Sequence, residues 1–228
     1  MTSPSGARGP DKLHGLLVVG GAFVISLGIS LWAKRTSEPE QGLPPAPPTT
    51  AGIVGFPSAV DPLLTLSAAR DLTRRNLLRG IVIEGVGPSG TVDLKSPGAG
   101  ARYSFQSLAG QGPQPARVPG QVPRRNLCGR QRVELRAKGL YAEPDQLDAP
   151  CLPSQSEPLP EPRCKLADLW ERARAKGASS QHAARIEYYR SAAGPAWRFE
   201  LPDGSVRFSI YGDCRRELSH GEAVGSVP

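Results

Sequence analysis

The sequence predicts an α+β fold: a single transmembrane helix, then two similar modules, each a helix followed by an antiparallel sheet. Three observations predict it. Residues Gly15 to Ala33 run for 19 positions without a charge. Two later stretches each read as a helical stripe followed by alternating strands. Between the first run and those stretches lies a proline-rich segment that suits neither element.

Composition sets the frame. A chain of 228 residues holds one or two small domains. Its 26 Gly and 24 Pro follow no collagen period, and no sustained heptad is present. Four cysteines are too few for a disulfide-dense scaffold. With 28 Lys and Arg against 21 Asp and Glu, the formal net charge is +7. None of this points to a catalytic class.

The apolar run Leu13 to Ala33 ends on Trp32, followed by Lys34 and Arg35. Its uncharged part would span roughly 28 Å as a helix, close to the hydrocarbon thickness of a bilayer. A buried core helix would carry a polar face, which this run lacks. A cleaved signal peptide would exit through small residues, where SLWAKR places charges. The reading is an uncleaved signal anchor over 13–35 that contacts the lipid bilayer. Arg8 and Lys12 before it balance Lys34 and Arg35 after it, so charge alone does not orient the span. The cysteines of the C-terminal bulk suit an oxidising compartment, which favours a cytoplasmic tail at 1–12 and a periplasmic or extracellular bulk. Ala22, Ser26 and Ser30 form a small-residue stripe that would permit a helix-mediated homodimer, although small residues are common in membrane helices.

Residues 36–51 read as an extended linker of polyproline type, reaching roughly 45–50 Å. A first module is expected over 52–140. Asp61 and Pro62 would start its helix, with Leu64, Ala68 and Leu72 as the buried stripe. GIVIEGV, TVDL, ARYSFQ and QRVELRA supply its strands, with GPSG as a turn. A proline-rich connector follows over 141–163, then a second module over 164–214, and a flexible tail over 215–228.

The second module is the clearer. Leu166, Leu169, Trp170 and Ala173 share one helical face, and Gly177 closes the helix. In ARIEYY, Ile186 and Tyr188 share one strand face. WRFELPDGSVRFSI reads as a hairpin. Pairing Leu201 with Val206 sets Phe199 opposite Phe208 and Trp197 opposite Ile210, while Glu200 meets Arg207 on the other face. This order of helix, IEYY strand and WRFELPDGS hairpin resembles PepSY-type modules of bacterial envelope proteins. Tyr211-Gly212-Asp213-Cys214 stands where those modules close on Asp-x-x-Gly. The resemblance implies a non-catalytic ligand or partner module, sometimes one that restrains an enzyme, and transfers no site residue. An excess of Arg over Lys, 22 to 6, accords with GC-rich coding and hence with a periplasm as the outer compartment.

The cysteines are Cys128, Cys151, Cys164 and Cys214. The favoured pairing is Cys128–Cys151 with Cys164–Cys214. The second bridge would link the start of a helix to the end of the last strand, worth roughly 3–4 kcal/mol by loop closure. Free buried thiols are the alternative. Zinc is disfavoured, because there is no C-x-x-C pair and no nearby His.

Catalytic signatures are absent from the sequence. His14 and His220 lie outside the modules, and His182 sits in a polar loop. Gly85, Gly87 and Gly90 spell G-x-G-x-x-G, but Pro88 interrupts it and a strand follows, so they read as turn glycines. Asp93 and Asp213 form no spaced acid–base pair. No cofactor is expected. One charged cluster stands out: Arg117, Arg124, Arg125, Arg130, Arg132, Arg136 and Lys138, with Glu134 as the sole acid between them. A solvated strand face explains it, as does a surface for an envelope protein or another anionic partner. Nucleic acid is disfavoured, because no aromatic residues interleave the bases. The expected role is a membrane-anchored, extracytoplasmic binding or assembly module without catalysis. The alternatives are a tethered regulator or sensor of an envelope process, and an enzyme with an unrecognised site.

Overall fold

A computed structural model describes residues 47–73, 75, 77–107, 127–144, 146–150, 158–225 and 227. Its elements are α1 (Leu66–Asp71), β1 (Leu77–Val86), β2 (Gly100–Gln106), β3 (Leu127–Arg136), β4 (Gly139–Ala142), β5 (Gln146–Pro150), α2 (Leu166–Ala175), β6 (Ala184–Ser191), β7 (Gly194–Glu200) and β8 (Arg207–Tyr211). All eight strands join one antiparallel sheet in the order β4-β3-β2-β1-β6-β7-β8, with β5 also on β3.

This corrects the expected fold class. The two modules are not separate units with their own sheets. The first strand of each half, β1 and β6, lies mid-sheet and pairs with the other, Ile81 opposite Tyr188 and Ile83 opposite Ile186. Each of these strands would otherwise leave a row of N–H and C=O groups open at an edge, and pairing them closes both. The two helices are only six and ten residues long. No helix among the described residues is long and apolar enough to cross a membrane. The 13–35 segment, its small-residue stripe and most of the linker lie outside the described residues.

Strand alternation divides the sheet into two faces. Ile81, Ile83, Tyr103, Val133, Leu135, Ile186, Tyr188, Trp197, Phe199 and Ile210 are buried on one face, which the helices cover. Arg102, Glu134, Arg185, Glu187, Arg198, Glu200 and Arg207 take the other by register.

The second half folds as its pattern predicts. Leu166, Leu169, Trp170 and Ala173 are the buried residues of α2. Trp197 pairs with Ile210, Phe199 with Phe208 and Glu200 with Arg207. The Leu201 N–H donates to the Val206 carbonyl at 3.0 Å. Phe199 stacks on Phe208 with centroids 5.2 Å apart and lies perpendicular to Trp170 at 5.1 Å. The Cys164–Cys214 disulfide is present, with Cα atoms 5.7 Å apart. Residue 151 and the Cys128 side chain lie outside the described residues, so the second expected bridge does too.

The first half departs from its expected pattern. Leu64 is 66% exposed, whereas Leu66 and Ala69 are buried. Asp61 accepts from the Leu63 N–H at 2.8 Å in a local turn and is not the N-cap of α1, which is Thr65. The helix starts only at Leu66, because the Pro62 carbonyl is taken by side chains. It accepts from the Thr65 hydroxyl at 2.8 Å and the Tyr103 hydroxyl at 2.7 Å. TVDL is an isolated bridge rather than a strand: Val92 exchanges backbone bonds with Val60 at 2.8 and 3.0 Å. Gly90 (φ +80) turns the chain beside α2, where a Cβ would sit 2.7 Å from the Ala167 nitrogen.

Segments expected to be loose are tied to the sheet. In the connector, Leu159 is buried and its N–H donates to the Leu78 carbonyl at 2.8 Å. In the tail, the Tyr211 and Leu218 N–H groups donate to Arg216 and Ser209 carbonyls at 2.9 and 2.8 Å, covering the outer edge of β8. Tyr189 and Arg198 hold the Ala223 carbonyl at 2.9 and 3.3 Å. Thr49 of the linker exchanges bonds with Leu140 at 2.9 and 2.8 Å and covers part of β4. Segments without periodicity are thus held by backbone groups, which no side-chain pattern reveals.

Candidate functional site

The polar face of the sheet carries cross-strand ion pairs. Glu134 on β3 accepts from Arg102 at 2.9 Å, Arg136 at 3.0 Å and the Tyr141 hydroxyl at 3.1 Å. Glu187 on β6 accepts from Arg198 at 3.0 Å, and Arg185 bonds the same carboxylate at 2.5 Å. Burial pushes the Glu134 carboxyl up, but the Arg136 and Arg102 bonds outweigh it and hold the group below its ordinary value. A depressed carboxylate contributes stability above its unfolded pKa, about 4.3, and loses it as pH falls through the folded value. Glu134→Gln is therefore expected to cost about 1–2 kcal/mol at pH 7, and progressively less as pH falls below the ordinary carboxylate range. Urea unfolding across that range reads the difference.

The basic run divides along β3. Arg117, Arg124 and Arg125 lie outside the described residues. Arg130 and Arg132 stand near the start of the strand. Arg136 stands about 20 Å further along, bound to Glu134 and, at 3.2 Å, to the Gly98 carbonyl. Lys138 is exposed in the turn beyond it. Arg130 and Arg132 thus separate from Arg136 and Lys138.

The first pair gains a partner that the sequence reading misses. Leu78 faces Phe105 and Gly80 faces Ser104, so Arg79 is the extra residue of a β-bulge. Bulges re-aim a side chain, and Arg79 joins Ser104, Phe105, Arg130, Gln131, Arg132, Glu143 and Pro144 around one cleft. Ser104 sits on β2 directly opposite Arg132 on β3. Arg79 is only 5% exposed. Burial, with Arg190 and Arg130 nearby, pushes its guanidinium down to about 10. Glu143 is held at the rim by its N–H to the Arg132 carbonyl, 2.8 Å, and by its own carbonyl to Gln131, 3.1 Å. The signal that could have found the bulge is Gly80, a lone glycine inside an apolar strand pattern.

The cleft has an interior of about 20 Å³. That admits one water-sized group and no whole organic molecule. Among the described residues that line it, three guanidinium groups stand against one carboxylate, a positive balance. Elsewhere, His182 is exposed in its loop. No cluster of His, Cys, Asp or Glu among the described residues could hold a metal ion. Comparison with protein-family models, curated proteins and solved structures finds no match.

Proposed function

We propose that this chain is an extracytoplasmic binding or assembly module, without catalysis, that meets an anionic partner through the basic end of its sheet. The observation that carries the reading is the convergence of Arg79, Arg130 and Arg132 from two strands on one cleft. The lateral edges point the same way. Thr49 and the 216–218 segment cover parts of β4 and β8, which leaves less backbone open for strand addition. The resemblance of the second half to PepSY-type modules also favours a partner-binding role. The Cys164–Cys214 bridge accords with an oxidising compartment. The apolar run at 13–35 favours attachment to a membrane, with the bulk periplasmic or extracellular.

The test is crosslinking of the full chain in native membranes, wild type against Arg130→Glu/Arg132→Glu, at low and high salt. The expected result is a partner captured by the wild type, reduced about tenfold or more by the charge reversal and weakened by salt. Equal capture by both proteins, or bare monomer from the wild type, would overturn the reading.

A further inference from the structure

We infer that the polar face of β6 and β7 is a peptide-binding platform, held in this structure by the chain's own residues 223–225 and Val227 as a detachable strap. The partner it fits is an extended segment in which a glycine is followed two residues later by a small branched apolar side chain. The inference is independent of the docking role proposed above and uses a different set of residues.

Three successive backbone carbonyls of the strap are taken by this part of the sheet. Tyr189 on β6 donates its hydroxyl to the Ala223 carbonyl at 2.9 Å. The Ala192 N–H, in the turn between β6 and β7, donates to the Val224 carbonyl at 2.9 Å. Arg198 on β7 donates to the Gly225 carbonyl at 2.9 Å and to that of Ala223 at 3.3 Å. The sheet itself fixes these donors. The Arg198 guanidinium lies 4.5 Å from the Tyr189 ring centroid and donates to Glu187 at 3.0 Å. Preorganised donors aimed at main-chain carbonyls bind an extended segment by its backbone, and space for its side chains then selects the sequence.

Two glycines supply that selection. Gly225 has φ +139, and a Cβ there would lie 2.3 Å from the Arg190 carbonyl oxygen, so glycine suits this point and a side chain does not. Val227 sits on Gly80 of β1, where a Cβ would lie 2.5 Å from the valine Cγ1. The lone glycine of that strand leaves the space the valine methyls fill. The strap itself is lightly held. None of its described side chains from Ser219 onward is buried, and Val224 is 61% exposed. Its start is latched by an ion pair at the surface, Arg216 with Glu222 at 2.8 Å. Segments with few buried apolar contacts open at lower free energy than the sheet that carries them. Opening frees the Tyr189 hydroxyl, the Ala192 N–H and the Arg198 fork for a segment from outside. In cis the strap competes at an effective concentration on the order of millimolar, so it acts as the resident competitor.

The strap of the full chain in neutral detergent is unseated by Gly225→Val or, separately, by Val227→Asp, and amide hydrogen exchange at Ala192 reports its release. Gly225 is exposed, Val227 is half-buried and both lie outside the strands, so the sheet stays folded in the two variants. A fluorescein-labelled, amidated peptide of residues 219–228, SHGEAVGSVP, is then titrated and read by anisotropy. Saturable binding to both variants is expected. Binding to the wild type is expected to be weaker by about tenfold or more, because its own strap competes. A peptide carrying Gly225→Val is expected to bind the variants weaker by about tenfold or more. No saturable binding to either variant, or equal binding of the glycine and valine peptides, would overturn the inference. Ala192 protection unchanged in both variants, or wild-type binding as tight as that of the variants, would overturn it too.

Discussion

Trp170→Ala is expected to lower the unfolding free energy by about 3–5 kcal/mol. Trp170 is fully buried on α2 and makes a T-shaped contact with Phe199, ring centroids 5.1 Å apart. Its Nε1 donates to the Val86 carbonyl at 3.1 Å, at the end of β1. One side chain therefore ties the helix of the second half to the first strand of the first half. Truncation removes the buried ring, opens a cavity and leaves the Val86 carbonyl without that donor. Trp170→Phe keeps most of the ring volume and is expected to cost roughly 1–2 kcal/mol, the share of the hydrogen bond and a small void. Guanidinium unfolding reads both. A loss below about 1 kcal/mol for the alanine variant would mean that α2 does not cover the sheet at this point.

Opening the disulfide is the second large effect. Cys164 and Cys214 are 50 residues apart in sequence. In the chain-entropy description, their link removes about 4 kcal/mol of freedom from the unfolded chain. The bridge joins the lead-in to α2 with the segment after β8, where Arg172 also donates to the Cys214 carbonyl at 2.6 Å. The Cys164→Ser/Cys214→Ser protein should unfold at a clearly lower denaturant concentration, and reductant should shift the wild type equally. Reductant that leaves the midpoint unchanged would contradict a structural bridge.

The second half was legible in the sequence because independent constraints agree there. Apolar side chains on one face of the hairpin, Glu200 with Arg207 on the other and the PDGS turn all demand a single register. The α2 stripe is equally plain, because Leu166, Leu169, Trp170 and Ala173 face one way. The first half was less legible. Leu64, Ala68 and Leu72 have good helical spacing, yet the long-range bonds of Tyr103 to Pro62 delay the helix and expose Leu64. Pairing of β1 with β6 joins residues about a hundred positions apart, such as Ile81 and Tyr188. Alternation is local and cannot name the partner strand. The tail stayed hidden for a related reason, since its bonds run from Ala223 and Val224 backbone groups. For the site, Arg130 and Arg132 stand out in the sequence as bases, but the bulge that adds Arg79 depends on the offset between β1 and β2.

Docking at the basic end of the sheet can be tested by position. Pro144 is exposed beside the cleft, and Asp203 is exposed in the turn at the opposite end of the sheet. A photoactivatable residue, p-benzoylphenylalanine, is placed at each position in turn in the full chain, and crosslinks are formed in native membranes. Crosslinking from position 144 and not from position 203 is the expected result. Crosslinking from position 203 alone would contradict an anionic partner at the Arg79–Arg130–Arg132 cleft.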